Sequence, residues 1–278
     1  MKRMILAGAL ALVSGVTGLM AQQKQPQPKS QKEVEALQAM FGAQDPDARI
    51  KAGEEVLTKF ADTEFKSTAM YLIAASYEQK NDFPKMAVWA EKTIEVDPKN
   101  YAAMLMLAGG IVKNAKEHDL DLEEKLGRAE KYAKSAVDLI ATAEKPNPQL
   151  PDEQWANAKK DFAAQSHEVF GLIATLRKKN DVAITEFKQA VEGSPNADPT
   201  TYIRLARAYT SVGKHDDAIA VLDKVMANAE IPAQIRQVAQ ADRVRAIQAK
   251  GGAKPPAAAT PAAPATTPAP PAAPAPKN

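Results

Sequence analysis

The sequence predicts an all-α fold, built as a solenoid of stacked helix pairs. One apolar pattern occurs three times, over residues 67–100, 164–197 and 199–232. In each copy, small and apolar side chains return every three or four residues, which is the spacing of one buried stripe on an α-helix. A proline follows the second stripe of each copy, at Pro98, Pro195 and Pro232. Because a single pair cannot bury two such stripes, neighbouring pairs must stack into a continuous core.

Each copy carries its first stripe at positions 4, 7, 8 and 11 and its second at positions 20, 24 and 27. The residues there are Met70, Ile73, Ala74, Tyr77, Met86, Ala90 and Thr93 in the first copy; His167, Phe170, Gly171, Ala174, Ala183, Phe187 and Ala190 in the second; and Tyr202, Leu205, Ala206, Tyr209, Ala218, Leu222 and Val225 in the third. Position 8 always holds a very small residue. We therefore expect the two helices of a pair to approach closest there.

This spacing resembles the tetratricopeptide repeat, which has a period of about 34 residues and the pattern W-x2-L-G-x2-Y, then A-x3-F, then P. The resemblance covers roughly residues 30–250. The chain is similar to a secreted or periplasmic bacterial member of that family. It implies a right-handed α-solenoid of helix-turn-helix units, with capping helices at the ends. Arrays of this kind usually hold partner proteins and do no chemistry themselves.

The N-terminal part of the repeat domain, residues 30–66, is predicted to be a degenerate first unit that caps the array. A short amphipathic helix over residues 32–41 should bury a stripe made of Val34, Leu37 and Phe41. A second helix should begin at residues 45–47 and run to about residue 60. It places Ala52 and Val56 where a repeat would carry its second-helix stripe.

The unit at residues 101–141 begins in register and then departs from the period. An insertion at residues 117–128 lengthens its turn, so the stripe of Ala129, Ala133 and Ala136 arrives about nine residues late. A proline-rich loop at 145–151 follows, and Asp152 is the expected N-cap of one long helix that runs to about residue 178. This irregular middle either bends the solenoid or carries a contact of its own.

After the third copy, residues 233–250 should form a capping helix that buries Ile235, Val238, Val244 and Ile247. Residues 251–278 are almost entirely Ala, Pro and Thr and are predicted to be a disordered tail. The tail is either a spacer or a ligand for a proline-binding or cell-wall partner.

The N-terminus has the features of a secretory signal peptide: a basic start, an apolar run and a small residue at Ala21. Cleavage after Ala21 would remove residues 1–21 and leave residues 22–29 as a linker. We therefore expect a periplasmic or secreted protein whose membrane contact is limited to the signal segment before cleavage. The alternative is an uncleaved anchor, although the run is short and is interrupted by polar and glycine residues.

Composition argues against several functions. The chain has 36 basic and 34 acidic residues, so it lacks the basic excess expected for nucleic-acid binding. It has no cysteine, which removes disulfides and thiolate sites, and no phosphate-binding loop or nucleophile motif. The cluster of His118, Asp119, Asp121, Glu123 and Glu124 is explained at least as well by an acidic helix start as by a metal site. We predict no catalytic residue, no metal and no cofactor.

In tetratricopeptide arrays, positions 2, 5, 9 and 12 of each first helix line the concave face, and here they are mainly apolar. The resemblance therefore implies a groove that holds a peptide or helix of a protein partner, whose identity the sequence leaves open. The predicted binding residues are Tyr71, Ala75, Leu105, Gly109, Val112, Glu168, Leu172, Ile203 and Arg207. The Lys, Asn and Arg clamp of chaperone-binding members is absent, because its sites hold Tyr71, Ala75, Met106, Gln165 and Val169.

Three alternatives stay open at this point. Some of Tyr71, Leu105 and Ile203 would contact a neighbouring repeat instead of a ligand. The chain would also fit an envelope enzyme or transport component whose site lies in residues 117–165. The third alternative is self-assembly through exposed faces of the repeats.

Overall fold

A computed structural model describes residues 26–194 and 196–251 and shows an all-helical chain over them. Its eleven helices are α1 (Gln31–Gly42), α2 (Pro46–Lys59), α3 (Lys66–Gln79), α4 (Phe83–Val96), α5 (Tyr101–Asn114), α6 (Leu122–Thr142), α7 (Asp152–Leu176), α8 (Asn180–Gly193), α9 (Pro199–Ser211), α10 (His215–Ala227) and α11 (Ala233–Lys250). The predicted signal segment, the tail beyond residue 251 and Pro195 lie outside the described residues.

The helices stack in chain order. Each one packs against the next along the chain, and α5 also contacts α3 and α7, while α9 also contacts α11. The pairs α3–α4, α5–α6, α7–α8 and α9–α10 match the predicted units, with α1–α2 before them and α11 after them. This layering confirms the predicted helical solenoid.

Polar residues fix where the helices begin. The side chains of Ser30, Asp45, Asp82 and Asn100 each accept a hydrogen bond from the backbone N–H three residues later, which stabilises a helix start. The predicted N-cap at Asp152 is wrong. The N-cap of α7 is Pro151, and the Asp152 carboxylate instead accepts a hydrogen bond from Lys145 Nζ at 2.6 Å.

The predicted stripes form the core. At position 8, Ala74, Ala108 and Ala206 are buried, and so is Gly171. The second-helix stripe is also buried, with Ala90, Phe187 and Leu222 at position 24. Apart from Gly171, these residues belong to apolar clusters that run from one helix pair into the next or into α11, as stacking requires.

Two predicted stripes are wrong in detail. In α1, Met40 is fully buried and Phe41 is 39% exposed, so the buried face is turned by one residue. In α11, three large residues predicted to be buried are instead exposed: Val238, Val244 and Ile247. The helix packs through Ala239, Asp242 and Ala246, because small side chains let it approach α9 and α10 closely.

The irregular middle and the N-terminal linker have defined positions. The lengthened turn covers residues 115–121, and the loop that contains the prolines covers residues 143–151. Part of the predicted linker is held against the fold, since Lys29 Nζ donates to both the backbone and the carboxylate of Asp62, at 2.6 and 2.7 Å.

Within residues 26–251, apart from Pro195, no helix has the length and apolar character needed to cross a bilayer.

Candidate functional site

The first helices α3, α5, α7 and α9 supply the positions predicted to line the concave face. The structure divides the nine predicted residues into three groups. Some are buried in the core, some remain partly accessible, and two are charged and engaged in ion pairs.

The prediction is wrong for Leu105, Val112 and Ile203. Their side chains are only 4%, 3% and 4% exposed, so a ligand could not contact them without a rearrangement. Leu105 packs with Ala136 and Ile140 of α6. Leu105 and Val112 are buried because α5 is the central first helix, covered by α4, α6 and α7 together. Ile203 is buried because α10 and α11 cover α9, where it belongs to one apolar cluster with Leu222 and Ala239.

An apolar surface remains on α3, α5 and α7. Tyr71, Ala75 and Leu172 are half-buried and keep part of their surface in contact with solvent. Gly109 lies between them in repeat register, and although this residue is buried, a Cβ added there would meet no atom within 4 Å. We call Tyr71, Ala75, Gly109 and Leu172 the inner apolar patch.

Glu168 connects three first helices. Its carboxylate accepts a hydrogen bond from Arg204 Nη1 of α9 at 2.7 Å, and it lies 3.6 Å from Lys113 Nζ of α5. The Glu168 side chain is only 12% exposed. The residue predicted to be a ligand anchor therefore holds neighbouring repeats together.

Arg207 is held in a similar way by the capping helix. Its Nε donates to Asp242 Oδ2 at 2.6 Å, while Arg245 Nη1 donates to Asp242 Oδ1 at 2.6 Å. Asp242 is 6% exposed, whereas the Arg207 side chain is 57% exposed. The guanidinium is thus fixed in place at one end and still presents surface to solvent.

Sequence reasoning missed Asp242. The available signal was its separation of 35 residues from Arg207, which is close to one repeat period. An acidic residue one period after a basic one places the two on adjacent first helices, where they can pair.

Four carboxylates of the insertion pair with three cations. Asp119 and Asp121 both pair with Lys125 at 2.8 Å, Glu117 pairs with Lys178, and Glu123 lies 3.1 Å from Arg177. Hydrogen bonds from Lys125 and from the Lys116 backbone N–H lower the pKa of Asp119. Across the described part of the chain, no group of three or more His, Asp and Glu side chains is placed to hold a metal ion.

Comparison with known proteins agrees with this geometry. Residues 199–230 match the family model for the tetratricopeptide repeat. The chain has a tetratricopeptide repeat fold. The matched repeat is the α9–α10 pair together with the turn that follows it, and it contains both Ile203 and Arg207.

Among the solved structures that match this chain, two illustrate the shared tetratricopeptide fold. The first is a thermophilic repeat protein of Thermus thermophilus, with TM-score 0.54 and 19% identity over 76% of this chain and 99% of that one. The second is a double mutant of MamA from RS-1, with TM-score 0.50 and 12% identity over 71% and 94% of the two chains. No curated protein sequence matches the chain. Tetratricopeptide folds generally mediate protein–protein interaction and are typically scaffolds without enzymatic activity.

Proposed function

We propose that this protein is an extracytoplasmic scaffold that holds an apolar peptide or an amphipathic helix of a partner protein against the inner apolar patch. The observation that carries the proposal is Gly109. Gly109 is itself buried on the most buried first helix of the array, yet a Cβ added there would meet no atom within 4 Å, so the space in the direction of its missing side chain is open.

The neighbouring side chains suit such a ligand. Tyr71 supplies an aromatic ring, and Ala75 and Leu172 supply small and branched apolar surface on the helices to either side. A helix that docks into a groove is recognised through a few apolar anchors spaced three or four residues apart. Arg207, fixed by Asp242, supplies a positive charge further along the same series of first helices.

The test of the groove uses two glycines at which an added Cβ would meet no atom within 4 Å, the buried Gly109 and the exposed Gly127. A Cβ at Gly127, on the outer helix α6, also meets nothing within 4 Å. The mature chain serves as bait to capture a partner from an envelope extract, and the captured partner is then titrated against variants. Gly109→Leu should weaken binding at least about tenfold, equivalent to about 1.4 kcal/mol. Gly127→Leu should leave it unchanged.

Tyr71→Ala provides an independent test of the same surface. An aromatic anchor at a protein interface commonly contributes about 2 kcal/mol or more when truncated. A partner that binds Gly109→Leu and Tyr71→Ala as tightly as the unaltered chain would disprove the groove proposal.

The extracytoplasmic part of the proposal rests on the first 21 residues. N-terminal sequencing of protein recovered from its native host should give Gln22 as the first residue. Recovery of intact Met1 in the membrane fraction would contradict cleavage and favour an anchored protein.

A further inference from the structure

A second groove lies between the second helices α8 and α10, and the first helix α9 forms its floor. Its volume is about 340 Å³. Tyr202, Leu205 and Tyr209 of α9 line the floor. This groove is separate from the inner apolar patch, since none of the residues of that patch lines it.

The two tyrosines are spaced for a repeating ligand. They are seven residues apart on one helix, so they lie on the same side, about 10 Å apart along the helix axis at 1.5 Å per residue. Both are half-buried. The Tyr202 hydroxyl donates to the Val191 carbonyl oxygen of α8 at 3.4 Å, which orients that ring across the groove.

The rim of the groove carries balanced charge. Lys188 and Glu192 of α8 stand on one side, and Asp217 and Lys224 of α10 stand on the other. Two cations and two anions give no net attraction for a charged peptide. An aromatic floor with a neutral rim is suited to an uncharged ligand that can stack on the rings.

The chain contains a segment of that chemistry. Residues 255–276 hold no charged side chain and contain the sequence Pro-Ala-Ala-Pro twice, at 261–264 and 271–274. Proline-rich sequences favour the polyproline II helix, which has three residues per turn and a rise of about 3.1 Å. Prolines three apart therefore share one edge at about 9 Å, close to the tyrosine spacing, and such helices dock in grooves lined by aromatic side chains.

The segment also starts beside the groove. Lys250, at the end of α11, pairs with Asp216, and the next residue, Asp217, is part of the rim. Nine residues, 252–260, separate the described chain from Pro261. Extended at about 3.1 Å per residue, they span up to about 28 Å. This is enough to bring Pro261 to Tyr209, which lies beside the start of α10.

We propose that the proline-rich C-terminal segment, residues 255–276, binds in the groove between α8 and α10 of its own chain, with the two prolines of a Pro-Ala-Ala-Pro motif stacked on Tyr209 and Tyr202.

The test uses the full chain, which contains no native cysteine. Ala265→Cys therefore gives a single attachment site for a nitroxide between the two motifs. In a ¹⁵N-labelled protein, the amide signals of Val221 and Lys224 should be broadened selectively, while those of Ala75 and Gly109 should not. Changing Pro261, Pro264, Pro271 and Pro274 together to alanine should abolish the selective broadening.

Matched variants separate recognition from general composition. Changing Pro255 and Pro256 to alanine leaves both motifs intact and should preserve the broadening. Tyr209→Leu keeps an apolar side chain in the core, removes the ring and should reduce the broadening without unfolding the repeat. Unaltered spectra of the remaining core signals would show that the fold is intact.

Three results would overturn the proposal. One is weak broadening spread evenly over the surface of the protein. Another is selective broadening that survives the change of all four prolines. The third is selective broadening that appears when spin-labelled protein without ¹⁵N is mixed with ¹⁵N protein without a spin label, because the occupant would then be the tail of a second copy.

Discussion

Gly171 of α7 lies directly against the ring of Phe187 of α8: a Cβ added to the glycine would be only 2.5 Å from Cδ1 of the phenylalanine. Phe187 is itself 1% exposed, so its ring is enclosed by the surrounding core. The smallest residue at position 8 and the large ring at position 24 thus form one fitted contact. This contact explains why the second complete repeat has glycine where the first and third have alanine.

Gly171→Ala should therefore destabilise the protein although alanine is the better helix former. Overpacking of a filled core typically costs about 1–3 kcal/mol. Gly127→Ala is the matched control, since its Cβ would meet nothing within 4 Å and should stabilise α6 by up to about 1 kcal/mol. Urea unfolding followed by circular dichroism measures both. Equal and favourable effects in the two variants would show that the contact with Phe187 is not tight.

Arg207→Ala should reduce stability as well as any ligand affinity. The change leaves the buried Asp242 carboxylate with Arg245 as its remaining partner. Loss of a hydrogen bond between charged groups typically costs about 1.5–3 kcal/mol, and the exposure of Arg207 places the effect at the lower end. A double-mutant cycle with Asp242→Asn measures the coupling. A coupling of zero would mean that this ion pair contributes nothing.

Acid should weaken the contact between α6 and α7. Hydrogen bonds from Lys134 and then Arg177 lower the pKa of Glu130, and the Arg177 bond crosses from α7 to α6. A lowered folded-state pKa means that the unfolded chain binds the proton more readily, so this stabilisation is present above about pH 4.3 and is lost as the pH falls through the lower folded value. Glu130→Gln should therefore lose less stability between pH 7 and acidic pH than the unaltered chain. Urea midpoints at a series of pH values provide the comparison.

Leu120→Ser should leave stability unchanged. Leu120 lies in the lengthened turn and is fully exposed, at 107% of its reference area. Surface substitutions away from structural features usually change stability by less than about 0.5 kcal/mol. If the insertion is a contact site, the variant will lose partner binding at an unchanged melting temperature. A clear loss of stability would show instead that the turn is packed in solution.

Helix spacing and repeat register were predictable from the sequence because they depend on periodicity alone. Ala74, Ala183 and Leu222 are buried where the period places them. The rotation of the terminal helices was not predictable. In α11 the sequence suggested that Val244 and Ile247 would face inward, but the requirements of the neighbouring helices determine the buried face. Ala239 and Ala246 are buried because their small side chains let α11 approach α10 closely. Asp242 is buried because its carboxylate pairs with Arg207.

The predicted binding residues of the first helices show the same limit: their position in the repeat was predictable, but their burial was not. Counting residues by the repeat period identified which residues lie at positions 5, 9 and 12 of the first helices. It did not show how deeply the neighbouring helices bury each first helix. Leu105 and Val112 are buried because α5 has neighbours on three sides. Tyr71 keeps part of its surface because α3 is covered less completely. The open space at Gly109 depends on the same three-dimensional arrangement.

The stacking of each helix against its chain neighbours, with few longer contacts, also determines how the molecule should respond to force. No single central core joins the first repeat to the last within the described residues, so tension applied to the two ends is carried by each interface in turn. In a pulling experiment the array should lengthen in steps of one helix pair, beginning at whichever end is less firmly closed. A scaffold of this design can stretch under load while its remaining repeats stay folded.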